Sequence, residues 1–307
     1  MKHFVTRVFL LCLIIALGGS FLAAPAAVEQ TLPPADNPFF KPYQTPFNVP
    51  PFHLIKNEHF LPAIEEGIKR EDAEVEAIVN NPEPPTFENT IAALDHTGIF
   101  LQEVTSVFFS LQSAHTNKEL QALARKTAPM LAAHSDNISL NEKLFQRVKA
   151  VYDQRQGLKL DREQLYLLEN TYRDFVRAGA LLDEKQKARL RELNQELSLL
   201  TVKFGENVLA ETNAFKLVIE SQTDLAGLPP SVVAMSAESA KRAGLDGKWL
   251  FTIQVPSLIP FLQYAEKRDL RNKLFRAYIM KGDNGNENDN KENVKKIITL
   301  RQERAKF

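Results

Sequence analysis

From Asn57 onward the chain is written almost throughout in the helical period, and nothing else constrains its fold as strongly. Apolar residues recur at steps of three and four through Glu58–Val79, from Thr86 through Phe108 and Leu111, from Asn117 to about His134, and through Glu142–Gln156 and Asp161–Gly179. Thr86, Asn117 and Asp161 stand where a helix needs a side-chain oxygen for its first free N–H groups, and Asn80, Asn81 and Pro82 close the first run. The longest run opens at Asp183 and reaches about Thr212, with Leu190, Leu193, Leu197, Leu200 and Phe204 on one coiled-coil-type stripe. Such a stripe points to a helix buried against neighbours, not to a cofactor box.

Two short segments break this habit. Phe215–Ile219 and Trp249–Val255 are rich in β-branched and aromatic residues. Between them lie the turn-rich Asp224–Pro230 and a helical run from Ser231 to Ala243 that stops at Gly244. Ser257–Met280 is helical again, with Pro260 expected in its first turn. The fold class that follows is mostly α, a multi-helix assembly with a small β-strand pair near residues 215–255. No internal repeat is evident. The expected division is a signal peptide over 1–27, an extended arm rich in proline and aromatics over 28–56, and a helical domain over 57–213. A small α+β insertion over 214–256 and a helical segment over 257–307 complete it. In that last segment Val294, Ile297, Ile298, Leu300, Ala305 and Phe307 share one helix face, with no Gly, Asn or Pro stop after them. The expectation is a partner surface outside this chain, and aggregation of the isolated piece.

Composition narrows the setting. Lys2 and Arg7 precede an apolar run, Val8–Leu17, too short to span a bilayer, and Ala23, Ala24, Ala26 and Ala27 offer a cleavage point. This reads as an export signal, with the bacterial periplasm as the expected location. Cys12 is the chain's single cysteine and would leave with the signal, so the mature chain is expected to have neither disulfide nor thiolate metal site. The full chain has 38 basic and 38 acidic residues; loss of Lys2 and Arg7 leaves a slight negative excess. That balance argues against a nucleic-acid face and a polybasic membrane patch.

A search for chemistry yields no assigned residue. The histidines, His3, His53, His59, His96, His115 and His134, include no pair at i, i+4 and no His-Glu-x-x-His, the spacing that puts two zinc ligands and a base on one helix face. Each is expected to be satisfied or exposed. There is no Gly-x-Ser-x-Gly elbow and no Gly-rich phosphate loop. Glu65 and Glu66 point ~100° apart on a helix, so they suit solvated surface better than a carboxylate pair. Gly282–Asn293 resembles a calcium loop in composition, but counting from Asp283 puts Gly285 at the third ligand position, and a polar linker is expected. Arg173 and Arg177 share a helix face beside Asp174; they could hold a carboxylate, but surface ion pairing is the expectation.

Several stretches acquire meaning in series. Phe60-Leu-Pro-Ala63, Gly67 and Pro85-Thr-Phe-Glu-Asn-Thr-Ile91 come first. Arg173-Asp-Phe-Val-Arg-Ala-Gly-Ala180, Leu193-Asn-Gln-Glu-Leu-Ser198, Phe204 and Asn207 follow. Leu225-Ala-Gly-Leu-Pro229, Gly247-Lys-Trp-Leu-Phe-Thr252, Pro256-Ser257, Tyr264-Ala265, Arg268 and Arg271 complete the series. In order and spacing, over about residues 38 to 307, they resemble the amino-terminal half of the thimet oligopeptidase family, particularly its bacterial peptidyl-dipeptidase branch. The resemblance implies a two-lobed, almost wholly helical zinc peptidase with a deep channel for short unfolded peptides, from which the peptidyl-dipeptidase branch releases carboxy-terminal dipeptides. It also implies Zn2+ held by a His-Glu-x-x-His helix and a later glutamate, whose motif glutamate activates the zinc-bound water. None of those residues is present here, so no catalytic, cofactor-binding or metal residue is carried over. The chain alone is expected to be inactive and to need a carboxy-terminal catalytic half as its partner. The other reading is a non-catalytic helical module that binds or inhibits peptides.

Overall fold

The computed structural model describes residues 36–307. The expected signal peptide and the first part of the arm lie outside the described residues. The rest of the arm packs onto the first helices. The Asn37 side chain donates to His59 O at 2.9 Å and accepts from Phe39 N at 3.1 Å. That turn delivers Phe39 to Phe60, which in turn meets Phe108, with ring centroids 5.3 and 5.2 Å apart. Phe40 stacks on Phe100, and the Arg70 guanidinium sits 4.3 Å from the Phe100 centroid.

Two apolar cores hold the helical domain. Helix α1 (Phe60–Val79) contributes to both. Its first half packs with α3 (Ile99–Ala114) and α4 (Lys118–Ser139) around Phe60, Ile64, Val104 and Phe108. Its second half packs with α5 (Glu142–Asp153) and α6 (Arg162–Ala178) around Val75, Ile78, Leu144, Phe145 and Leu168. The expected caps are in place: Asn117 accepts from Leu120 N, Asp161 from Gln164 N and Asp183 from Gln186 N. Asp161 and Asp183 form full capping boxes with Gln164 and Gln186. Helix α7 (Glu184–Ala214) lies along α4, and its leucine stripe is buried at Leu190, Leu193 and Leu197, while Phe204 is exposed.

The run from Thr86 to Leu111 is not one helix. A π-type turn, Phe87–Ala92, leads into a single α turn, α2 (Ala93–Asp95), and the chain reverses through Gly98 before α3 begins. Gly98 adopts φ +71, and its N–H donates to Glu74 Oε2 at 2.8 Å. The apolar period survives the break because both pieces bury apolar residues, Phe87 and Ile91 in the core around Leu144 and Leu168, and Val104 and Phe108 in the core around Phe60, so periodicity alone could not reveal it.

A two-stranded antiparallel sheet pairs β1 (Leu217–Ile219) with β2 (Trp249–Phe251), with Val218 opposite Leu250. Helix α8 (Pro230–Arg242) connects the strands. The segment expected as one helix over Ser257–Met280 is two, α9 (Val255–Tyr264) and α10 (Arg268–Ile279). Pro256 occupies the first turn of α9, and Pro260 lies inside it. Between the helices, Arg271 Nη1 donates to Glu266 O at 3.0 Å and also reaches Ala265 O. The third core, around Leu217, Phe251, Leu258, Phe261 and Leu274, joins sheet and helices. Helix α11 (Lys291–Arg304) returns to α7, where Leu300 and Ile297 meet Leu193, Leu197 and Leu200. Part of its apolar half is therefore covered, whereas Ile298 and Phe307 are exposed.

Candidate functional site

A concavity of about 740 Å³ opens between α1, the α2–α3 turn, α3, α4 and α6. Leu94, Leu101, Phe109, Leu131, Ile138 and Phe175 make its walls apolar, while Glu71, Asp95, Asp174 and His134 bring charge to it. Gly98 belongs to this wall for a steric reason. A Cβ there would stand 2.5 Å from the Glu71 carboxylate.

His134 is the central ionisable group. Its side chain is 6% exposed, and its Nε2 lies 2.8 Å from Glu71 Oε2. Nδ1 lies 3.1 Å from Asp72 Oδ1, but out of line for a hydrogen bond, so that second contact is electrostatic. The hydrogen bond to Glu71 raises the His134 pKa above its ordinary value; burial opposes the rise, and the charges of Glu71 and Asp72 reinforce it. With Nε2 engaged by a carboxylate and Nδ1 facing another, the ring is a clasp between α4 and α1 and not a free base. Two residues on, Asp136 is also buried and its pKa is raised by that burial, against the hydrogen bond that Asn194 donates at 2.7 Å.

Of the other residues singled out from the sequence, Asp174 lines this cavity, whereas His53, His59, His96, His115, Glu65, Glu66, Arg173 and Arg177 do not. His59 is buried, its Nδ1 accepting from Lys56 N at 3.1 Å; His53, His96 and His115 are exposed. Glu66 pairs with Arg70 at 2.9 Å, and Glu65 is exposed. Arg173 lies 3.9 Å from Asp174 and also meets Asn170, and Arg177 is exposed on the same helix. The loop after Gly282 closes on a protein carboxylate. Glu211 Oε2 accepts from Gly282 N at 2.5 Å and Asn284 Nδ2 at 2.8 Å, and its Oε1 accepts from Asn286 Nδ2 at 2.7 Å. A plain linker was the expectation, and a buried glutamate with three donors is the finding. No sequence signal marked it, because its partners lie 71 to 75 positions away.

Among the described residues no group of three or more His, Cys, Asp or Glu side chains is arranged to hold a metal ion. No helix there is long and apolar enough to cross a membrane. The donor set of the described residues therefore does not fit a catalytic zinc.

No family model matches the chain. Curated relatives do. Dipeptidyl carboxypeptidase of Salmonella typhimurium is 39% identical over 271 residues, which cover 88% of this chain and 40% of that protein. The protein of the same name in Escherichia coli is 39% identical over 269 residues, with the same two shares. Oligopeptidase A of Haemophilus influenzae is 33% identical over 263 residues, 84% of this chain and 38% of that protein. The chain thus spans about two-fifths of the length of these relatives. The order of motifs, the helical architecture and these identities agree: the chain belongs to the thimet oligopeptidase and peptidyl-dipeptidase family, of whose members it represents a portion.

Proposed function

We propose that this chain is the amino-terminal portion of an exported zinc peptidase of the peptidyl-dipeptidase type, which removes carboxy-terminal dipeptides from short unfolded peptides. One observation carries the choice within the family. Identity is 39% to dipeptidyl carboxypeptidases, against 33% and 29% to oligopeptidases A from Haemophilus influenzae and Escherichia coli. In this reading the zinc, its ligands and the general base lie on residues outside this chain, and the described helices form scaffold and channel wall. No catalytic step is assigned to His134, whose ring nitrogens both face carboxylates.

The test is to express the gene with any reading frame beyond Phe307, beside the chain ending there. The longer product is expected to release a dipeptide from an amino-blocked peptide with a free carboxylate, and to stop when zinc is chelated. The shorter chain is expected to do neither. Cleavage that ignores the free carboxylate would move the assignment to an internal oligopeptidase, and chelator-sensitive turnover by the shorter chain would overturn it. Export is tested separately, by the fraction in which the longer product is found. A second reading, a non-catalytic peptide-binding module, draws on the open cavity beside Asp95 and Asp174. It requires the isolated chain to bind peptides in solution.

A further inference from the structure

Asn284–Gly285 is the one Asn–Gly dipeptide in the sequence. Glycine after asparagine is the pairing most open to intramolecular attack, because no side chain shields the following amide nitrogen. Both residues are exposed, Gly285 has φ +64, and a Cβ there would meet nothing within 4 Å. Both reacting groups are nonetheless held. The Asn284 Nδ2 donates to Glu211 Oε2 at 2.8 Å and to Met280 O at 3.0 Å. The Gly285 N–H donates to Asp289 Oδ2 at 2.6 Å. Asp289 keeps its charge because Lys291 and backbone donors hold its pKa down at about 2.

We propose that Asn284 is a site of spontaneous deamidation, held back while the loop is closed on Glu211 and, once reacted, opening that closure. The Gly285 nitrogen gives its proton to solvent base and attacks Asn284 Cγ. The bond from Cγ to the side-chain nitrogen breaks, and ammonia leaves with a proton regained from solvent. Water then opens the succinimide to aspartate or isoaspartate. No oxidant or further reactant is required. Closure opposes the first step, since the Gly285 amide must leave Asp289 and the Asn284 amide must leave Glu211.

The product cannot restore what was lost. A donor to Glu211 is replaced by a second carboxylate beside a buried one. The isoaspartyl form also adds a backbone carbon to a loop whose other end is pinned by Asn290. Asn290 donates to Phe204 O at 3.2 Å and accepts from Asn207 at 3.0 Å, so the same loop seats the start of α11 on α7. Reaction at residue 284 therefore loosens this junction and leaves the remote helices alone.

The experiment incubates the purified full chain at mildly alkaline pH, beside a synthetic peptide of residues 278–292, and follows conversion at Asn284 by peptide mapping. The folded chain should react about tenfold or more slowly, the factor expected where one charge-assisted hydrogen bond must first open. Equal rates would overturn the proposal. Glu211→Ala should bring the folded rate toward that of the peptide. Should that variant fail to fold, Asn286→Ala, which removes one of the three donors, should accelerate conversion part of the way. No acceleration in a folded variant counts against the idea. Asn284→Asp, made directly, should lose hydrogen-exchange protection over residues 282–300 and keep it in α1 to α6; unchanged protection in that loop would refute the second half of the claim.

Discussion

At the residue scale, the imidazole of His134 joins two helices through Glu71 and Asp72, and the surroundings favour its protonated form. The folded pKa is raised above the unfolded value of about 6.5, so this contribution is fully present below that pH and is lost as pH rises through the folded value. The expected outcome is a chain that loses stability on going from mildly acid to alkaline pH through this group. His134→Gln should flatten that part of the profile and cost ~2–3 kcal/mol at pH 6, read by urea denaturation across pH. An unchanged profile would show that the clasp is idle. Asp136 acts in the same direction in a more acidic window: its raised pKa costs stability as pH rises above about 3.9. Gly98 supplies a second prediction. A left-handed alanine costs ~1–2 kcal/mol, and its Cβ must displace the Glu71 carboxylate that holds His134. Gly98→Ala should therefore destabilise by ~2–3 kcal/mol and lower the His134 pKa, which NMR titration would detect.

At the element scale, the long helix α7 organises the molecule, since it receives α4 on one side and α11 on another. Leu193 is fully buried at the α11 seam. Leu193→Ala should cost ~2–4 kcal/mol through lost burial and the remaining cavity, seen as a lower denaturation midpoint. Asp183→Ala removes the side-chain acceptor of its capping box and should cost ~1 kcal/mol. These features were legible, because a cap and a leucine stripe act within one or two helical turns. The breaks at Gly98 and Ala265 were not. Each lies between segments that both bury apolar residues, in two different cores on either side of Gly98 and in one shared core on either side of Ala265, so the period runs across the break while the backbone turns. The expectation of Pro260 in a first turn failed for a related reason. Pro256 already occupies that place, and the preceding strand ends early at Phe251.

At the scale of the whole molecule, the described residues form three substantial apolar cores and a smaller seam. Ile298 and Phe307 remain exposed on the final segment. The product of any longer reading frame should be more soluble than the isolated chain and, under the proposed function, should hydrolyse peptides only with zinc present; sedimentation and a chelator titration would check both. Equal solubility would mean that α11 needs no further cover. Local and homologous features were readable from the residues alone: where the side-chain-capped helices begin, which stripe is buried, a strand pair near residues 215–255, and the family through motifs in series. Tertiary structure alone decided which distant polar groups meet. His134 finds Glu71 63 positions away, and Glu211 finds Asn286 75 positions away. Caps and periods are settled by atoms within a turn or two of chain, whereas such meetings depend on how helices pack, and no single segment encodes that.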